Sequence, residues 1–364
     1  MDKITLIIPE YDGNDRSGRL EGVIRHGLSG LEIEILETVD QMAMRDLRER
    51  RILFAVALGN SGINLEMYRM IRYIRAHKNL FDGSVAGMVL DGNSELFTKS
   101  VARDLVFSAN RSGCTFPGRP LVEGTGSLLN FTVIAKIHGL DNLGAYRYSV
   151  RALVERVLSY KPPVIRDRKP RLLALHAGNA MTSNTLGLWH LVREGLDCDV
   201  KEISLRDGQI WDCRGCSYET CLHLGEKQNC FYGGVMTQEV YPAIGKCDGL
   251  VMVCPNYNDA ISANLSAFVN RLTAIFRVRP FYDKRVFAVI VSGYSGSDIV
   301  AQQLISGLNM NKSFILPSRF ALMETANNPG TVMDIKGIKD NAAEFADTIM
   351  KEFLLGDNTY VTKE

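Results

Sequence analysis

Apolar runs that recur along the chain constrain its fold more than any other sequence feature. Residues 52–58 (ILFAVAL) contain no polar side chain, and residues 249–254 (GLVMVC) and 286–292 (VFAVIVS) are almost as apolar. Such runs are typical of central parallel strands, which are covered on both faces. Stretches with helical spacing, such as residues 65–76 and 100–110, alternate with them. This alternation predicts a doubly wound α/β sheet.

The pattern runs twice through the 364 residues, a length that favours two domains. Five strands are predicted in the first half, at residues 4–8, 31–36, 52–58, 85–90 and 120–122. Five more are predicted in the second half, at residues 172–176, 199–205, 249–254, 286–292 and 320–323, before a closing helix at 341–355. Residues 161–170 (KPPVIRDRKP) have the proline and charge content of a linker. We therefore predict two α/β domains, residues 1–160 and 171–364, each with a parallel five-stranded sheet.

The two halves also echo each other in sequence. Asn64 falls against Asn264, and Arg119 against Arg319, at an offset of 200 residues. For the first strands the offset is about 168, so about 32 additional residues separate the second and third strands of the second half. This pattern indicates a tandem duplication, although two unrelated domains of one fold are the alternative. The additional residues, about 205–236, contain four cysteines.

The composition excludes several classes of function. Lys and Arg number 42 against 41 Asp and Glu, so a net charge of +1 provides no general attraction for nucleic acid or an anionic membrane. No apolar run is long enough to cross a bilayer. The N-terminal apolar run breaks at Pro9 without a cleavage-site pattern, so we expect no signal peptide and a cytoplasmic location. The eight cysteines are then expected to be thiols, metal ligands or redox groups rather than disulfides.

The loop after the first strand of the second half has the composition of an anion cradle. Residues 176–187 (HAGNAMTSNTLG) lead small hydroxyl and amide side chains into a helix predicted to begin near Thr185. Backbone N–H groups and hydroxyls at a helix start suit a phosphate monoester, here without any Lys or Arg. A helix cap alone would explain only part of the run. The candidate phosphate-binding residues are Asn179, Thr182, Ser183, Asn184 and Thr185.

Two further loops are expected at the same edge of the sheet, because the carboxyl ends of parallel strands meet there. An aromatic face with amides at its rim, as at Tyr257, suits a planar heterocycle. Gly293 and Gly296 would allow the backbone to approach that ligand closely. The candidate ligand-binding residues in these loops are Pro255, Asn256, Tyr257, Asn258, Ser292, Gly293, Tyr294 and Gly296.

The cysteine segment has the spacing C-x2-C-x4-C-x8-C, formed by Cys213, Cys216, Cys221 and Cys230. Four thiolates in so short a segment can hold a [4Fe–4S] cluster, because a compact loop can turn each sulfur inwards. The same four can bind a structural zinc ion in tetrahedral geometry. Plain thiols are the third alternative, and we favour the cluster among them.

At these motifs the second half, over about residues 171–328, resembles the NAD(P)H-dependent FMN reductase branch of the flavodoxin-like fold, particularly the iron–sulfur flavoproteins. The matching segments are TSNT at 182–185, CPNYNDAISANLSAFVNRL at 254–272, VSGYSG at 291–296 and the cysteine segment with the residues that follow it. The resemblance implies that FMN is the cofactor and that the four cysteines ligate the cluster. The FMN phosphate would contact Ser183, Asn184 and Thr185. The FMN ring would contact Asn256, Tyr257 and Gly293.

The function implied by this resemblance is that of an FMN-dependent oxidoreductase. Electrons would pass from NAD(P)H or a ferredoxin-like carrier through FMN and a [4Fe–4S] cluster to a small acceptor. One alternative is a cluster-free reductase of quinones, nitro compounds or free flavin. The other is a flavin protein that carries electrons without being an enzyme.

The first half is expected to keep the sheet without the cofactor. Its first loop, residues 9–19, carries acidic side chains where a phosphate would bind, and its third-strand loop, residues 58–64, has no aromatic residue. We interpret it as a degenerate copy. Relatives of the family pair as dimers, so the two halves are expected to form an internal pseudo-dimer in which residues 61–64 or 93–99 wall the flavin site. Association into further homo-oligomers is left open.

Overall fold

The computed structural model describes residues 3–11, 18–206 and 210–354. The chain divides into two compact units, Met1–Tyr160 and Lys161–Glu364. Each unit contains a five-stranded sheet whose strands are all parallel, which confirms the predicted doubly wound α/β fold. Most of the acidic loop predicted at residues 9–19 and the end of the helix predicted at 341–355 lie outside the described residues. No helix in the described ranges is long and apolar enough to span a bilayer.

In the first unit the strands lie in the order β2-β1-β3-β4-β5. The strands are β1 (Lys3–Ile7), β2 (Glu32–Leu36), β3 (Arg51–Gly59), β4 (Val85–Gly92) and β5 (Leu121–Gly124). The helices are α1 (Gly18–Gly27), α2 (Val39–Ala43), α3 (Leu65–Ala76), α4 (Thr98–Arg111), α5 (Thr132–His138) and α6 (Asn142–Ser159).

In the second unit the strands lie in the equivalent order, β7-β6-β8-β9-β10. The strands are β6 (Arg171–His176), β7 (Asp199–Ser204), β8 (Gly249–Pro255), β9 (Arg285–Ser292) and β10 (Ala321–Thr325). The helices are α7 (Asn184–Glu194), α8 (Tyr218–Glu226), α9 (Tyr241–Lys246), α10 (Ala263–Arg271), α11 (Thr273–Phe276), α12 (Ser297–Leu304) and α13 (Ile338–Leu354).

The ends of all ten predicted strands agree with the structure to within two residues. β8 and β9 are buried along their whole length, as their uninterrupted apolar sequences require. Helices cover the sheet on both faces. On one face of the second unit, Trp189 of α7 and Phe353 of α13 pack into the core with the Phe287 side chain of β9. This packing fixes the strand ends from which the candidate loops leave.

Several irregular features recur at the offset of 200 residues. An isolated parallel bridge joins Val85 to Thr115 in the first unit and Arg285 to Ile315 in the second. Arg119 (φ 56°) and Arg319 (φ 51°) both adopt the left-handed conformation, which non-glycine residues rarely take. Because such details are not required by the fold class, they support the predicted duplication.

Candidate functional site

The site lies where the strand order of the second unit reverses. β6 and β8 are neighbours in the sheet, while the chain between them passes through the edge strand β7. The crevice at the carboxyl ends of two such strands is the usual ligand site of a doubly wound sheet. β9 is the other neighbour of β8, so the loops after β6, β8 and β9 leave from three adjacent strands. The three loops singled out in the sequence are therefore brought to one edge.

The loop after β6 is folded tightly around Asn179. Its carbonyl accepts hydrogen bonds from the N–H groups of Thr182 (3.2 Å) and Ser183 (3.0 Å), and its Oδ1 accepts one from Met181 (3.0 Å). Ser183 caps α7, because its Oγ accepts a hydrogen bond from the N–H of Leu186 at 3.2 Å. The first-turn N–H groups of a helix have no partner within the helix, so this loop and α7 together are a candidate anion site.

The side chain of Asn184 serves the scaffold instead of facing a ligand. Its Nδ2 donates to the carbonyls of Ala326 (3.1 Å) and Asn328 (2.7 Å), and its Oδ1 accepts from the N–H of Val332 (3.3 Å). Thr185 beside it is also buried. The candidate donors to a phosphate are therefore the backbone N–H groups of Asn184 and Thr185 and the hydroxyls of Thr182 and Ser183.

The loop after β8 is a tight hairpin that presents Tyr257. The N–H and carbonyl groups of Tyr257 and Ala260 exchange two hydrogen bonds, at 3.2 and 3.1 Å. Between them, Asn258 (φ 52°) and Asp259 (φ 57°) both have left-handed backbones, which is the geometry of a type I′ turn. Asn and Asp tolerate this conformation better than most residues do. The turn leaves the Tyr257 side chain 54% exposed.

Asn256 ties this hairpin to the loop after β9. Its Nδ2 donates to the carbonyl of Ser295 at 2.8 Å and to the Ser292 Oγ at 3.2 Å. Its Oδ1 is buried and has no hydrogen-bond partner within the described part of the chain. Gly296 (φ 90°) lies against it, since a Cβ there would be 2.7 Å from Asn256 Nδ2 and 2.2 Å from Asp259 Oδ1. The predicted need for glycine at this position thus has a steric basis.

The loop after β9 is supported by a residue that the sequence did not indicate. Asn327 Nδ2 donates to the Tyr294 hydroxyl at 3.1 Å, and a Cβ on Gly293 would lie 2.8 Å from Asn327 Oδ1. Tyr294 is 80% exposed, and Met181 in the loop after β6 is 89% exposed. With Tyr257, each of the three loops therefore presents one large, solvent-exposed apolar side chain. Exposed apolar groups at a crevice are typical of a binding site.

A buried histidine, His176, ends β6 directly before the anion site. Its Nε2 lies 3.7 Å from the Glu202 Oε1, and the other oxygen of Glu202 accepts a hydrogen bond from Trp189 Nε1 at 2.7 Å. Burial lowers the pKa of His176, and the Glu202 carboxylate opposes that shift. His176 thus lies beside Glu202 at the end of β6, directly before the loop proposed to bind a phosphate.

The four cysteines lie in the segment between β7 and α9, together with α8. Cys213 is exposed and the other three are half-buried. Burial raises the pKa of the Cys221 thiol, and nearby Arg277 opposes that shift. The other three cysteines of the segment raise the pKa further, so the four thiols influence one another electrostatically. Within the described ranges, however, no three metal-ligating side chains are placed so as to hold one ion. The donor chemistry fits a thiolate-bound metal, but the predicted ligand set is not closed around a centre.

At the equivalent edge of the first unit, several of the described side chains lie across the strand ends. The Tyr11 hydroxyl, after β1, lies 1.8 Å from where a Cβ on Gly59 of β3 would stand, so it spans the switch point. At the end of β4, buried Asp91 accepts two hydrogen bonds from Arg19, at 2.9 and 3.0 Å, and one from the Tyr146 hydroxyl at 3.2 Å. This packing supports the prediction of a degenerate copy, which stays a prediction.

The strand order and the three-loop edge define the second unit as a flavodoxin-like domain. Residues 170–328 match the family described as NADPH-dependent FMN reductase. This match agrees with the resemblance seen in the motifs of the second unit. The match does not include the first unit.

Solved structures with some similarity to the chain were also found. One is an NAD(P)H:quinone oxidoreductase from Methanothermobacter marburgensis, with 14% identity and a TM-score of 0.36, covering 50% of this chain and 99% of that one. Another is an azoreductase from Bacillus anthracis str. Sterne, with 14% identity and a TM-score of 0.36, covering 50% of this chain and 100% of that one. No curated protein was found to match.

Proposed function

We propose that the second unit binds FMN in the crevice between β6 and β8 and uses it to pass electrons from NAD(P)H to a small acceptor. The proposal is carried by one observation. At the switch point, three loops bring together the Ser183-capped start of α7, the exposed side chains of Tyr257 and Tyr294, and the unpartnered Asn256 Oδ1. A ligand with a phosphate, a planar apolar ring and a ring N–H matches all three elements.

In this proposal the chain's residues bind and orient, and bound FMN supplies the hydride and electron transfer. Thr182, Ser183 and the first N–H groups of α7 hold the phosphate with neutral donors. Tyr257 and Tyr294 cover the ring and exclude water from it. Asn256 fixes the hairpin and offers its Oδ1 as an acceptor to the ring edge.

Replacement of Tyr257 tests the site directly, because this side chain is exposed and its loss should not disturb the core. We expect Tyr257→Ala to weaken FMN binding about tenfold, which corresponds to the roughly 1.4 kcal/mol of an aromatic contact. Tyr68→Ala, which removes a similarly exposed tyrosine from the first unit, is the matched control and should leave the FMN affinity unchanged. Equal affinity of the Tyr257→Ala variant and the unaltered protein would remove this site from consideration.

For the cysteine segment we propose a [4Fe–4S] cluster on Cys213, Cys216, Cys221 and Cys230, which would exchange single electrons with the flavin. The thiolate donor chemistry and the short spacing of the four cysteines support this. Iron and acid-labile sulfide analysis of anaerobically purified protein is expected to give about four of each per chain, as the cluster formula requires. Stoichiometric zinc, or no metal, would reject the cluster.

A cluster-free reductase of quinones, nitro compounds or free flavin is the second candidate. The family match over residues 170–328 supports it without requiring a metal on the cysteine segment. Anaerobic turnover of NAD(P)H with a quinone by metal-free protein would support this candidate. If the protein has flavin but shows no turnover with any small acceptor, an electron carrier that is not an enzyme becomes the better explanation.

A further inference from the structure

A groove lies at the amino ends of β6 and β7, at the edge of the sheet opposite the candidate flavin site. Its volume is about 560 Å³, which is within the range of small-molecule sites. Buried apolar side chains line it, from Leu173 of β6 and from Ala243 and Cys247 at α9. The lining also contains three positively charged residues, here called the groove cations: Arg171, Lys201 and Lys246.

The register of the strands shows which side chains face the groove. Arg171 and Leu173 lie two residues apart in β6, and their partners in β7 are Asp199 and Lys201. These four side chains share one face of the sheet, because alternate residues of a strand point the same way. The other face, with Leu172, is covered by α7 and α13. On the groove face the short helix α9 packs against β6, and the Asp199 and Lys201 side chains of the edge strand stay exposed.

The charges around the groove do not balance. Within the lining, Asp199 provides one negative charge against the three positive charges of the groove cations. No groove cation forms an ion pair within residues 3–11, 18–206 and 210–354, and the neighbouring Asp248 is paired with Arg168 instead. A positive field beside an apolar surface attracts an anion with an apolar body.

The first unit supplies its own anion at the equivalent place. Counted from the isolated bridges that recur in both units, the strand registers make Glu34 of β2 equivalent to Lys201 of β7. The Glu34 carboxylate forms ion pairs with Arg45 at 3.0 Å and Arg50 at 2.8 Å. The second unit has a lysine at this position, so the charge is reversed and the groove is open to an anion from solution.

We propose that this groove binds an amphipathic organic anion. Its apolar or aromatic body would lie against Leu173 and α9, and its anionic head group would lie among the groove cations. An inorganic anion would leave the apolar lining uncovered, and a neutral apolar molecule would gain nothing from the three charges. The inference goes beyond the proposed flavin chemistry and does not depend on it, because the groove lies at the opposite edge of the sheet.

The test is isothermal titration calorimetry of the full-length protein with naphthalene-2-sulfonate, whose aromatic body and single charge match the two parts of the groove. The neutral naphthalene-2-sulfonamide has nearly the same shape and is the matched control ligand. We expect the sulfonate to bind about tenfold more tightly than the sulfonamide, and its affinity to fall as the salt concentration rises. Equal affinities for the two ligands, or no binding of the sulfonate, would overturn the inference.

Variants on the two walls of the groove locate the binding. Lys201→Glu, which gives β7 the residue that β2 has at this position, should weaken sulfonate binding about tenfold, and Lys246→Glu should do the same. Lys339→Glu changes the net charge equally at an exposed position of α13, on the other face of the sheet, and should bind like the unaltered protein. Thermal unfolding checks that all three variants fold.

Unchanged sulfonate affinity in both groove variants would place the ligand elsewhere and overturn the inference. An equal loss in Lys339→Glu would overturn it too, because that result would show a general effect of net charge. Each of these outcomes leaves the flavin proposal standing, since FMN retention is measured separately.

Discussion

At the scale of single residues, the local sequence predicts which residues lie in the loops of the candidate site. It does not predict the distant residues to which their side chains hydrogen-bond. Ser183, Asn256 and Tyr257 were predicted from turn composition next to apolar strands. The scaffold role of Asn184 was not, because its partner Asn328 is 144 residues away. The pairing of His176 with Glu202 likewise depends on the neighbouring edge strand. The sequence does contain a signal for the burial of Arg271, since helical spacing places this charged residue on the same buried face as Phe268 and Leu272.

His176 makes the stability of the second unit sensitive to acid. Burial lowers its pKa from the usual 6.5, so the unfolded chain binds this proton more readily than the folded one. The free energy of unfolding should therefore fall as the pH drops below 6.5, the unfolded value. His176→Gln should remove that part of the slope in urea titrations between pH 5 and pH 7, a window set by the ordinary histidine range. His190→Gln, at an exposed position near the same carboxylate, is the control; an unchanged slope in His176→Gln would contradict the assignment.

Glu352 works in the opposite direction. Burial raises its pKa to about 7, although Arg285 lowers it in part. The folded chain therefore binds this proton more readily, and the stabilising contribution is lost as the pH rises from 4.5 to about 7. The loss is on the order of 1–3 kcal/mol. Denaturant titrations of Glu352→Gln should lack this decline, whereas the exposed Glu344→Gln on the same helix should keep it. A decline of equal size in both variants would show that Glu352 is not the group responsible.

At the scale of elements, strands were predictable to within two residues because a parallel strand buried on both faces needs an uninterrupted apolar run. The cysteine segment was less predictable. Its polar composition did not indicate α8. The ends of the segment are joined by Arg271 of α10, after β8, through hydrogen bonds to the carbonyls of Trp211 and Gly233. Long-range contacts of this kind leave no local pattern.

The loop after β9 offers a test at the element scale. Gly296→Ala should lower both the unfolding temperature and the FMN affinity, because φ of 90° costs an alanine about 1 kcal/mol and its Cβ would displace Asp259 and Asn256. Gly245→Ala in α9 meets nothing within 4 Å and should be neutral or slightly stabilising. Thermal unfolding and FMN titration of both variants check this. Gly296→Ala with both properties unchanged would mean that the loop does not need the close approach.

At the scale of the whole molecule, the two units share one fold but differ in the side chains at the carboxyl ends of their strands. Both sheets have the same strand order, and in the second the loops at the switch point present the exposed side chains of Tyr257 and Tyr294. In the first, Tyr11 and the Arg19–Asp91 pair take up the equivalent space. The sequence predicted the duplicated fold from its repeated apolar pattern. The domain roles, and the internal pseudo-dimer expected from the resemblance, stay predictions.

Flavin stoichiometry with anaerobic reduction tests the central claim most directly. Protein reconstituted with excess FMN and freed of unbound cofactor should retain one FMN per chain, and NAD(P)H should bleach the flavin absorbance completely. A chain that retains no FMN, or whose bound FMN is not reduced by either nicotinamide nucleotide, would contradict the account of the second unit. Retention of two FMN per chain would contradict the account of the first.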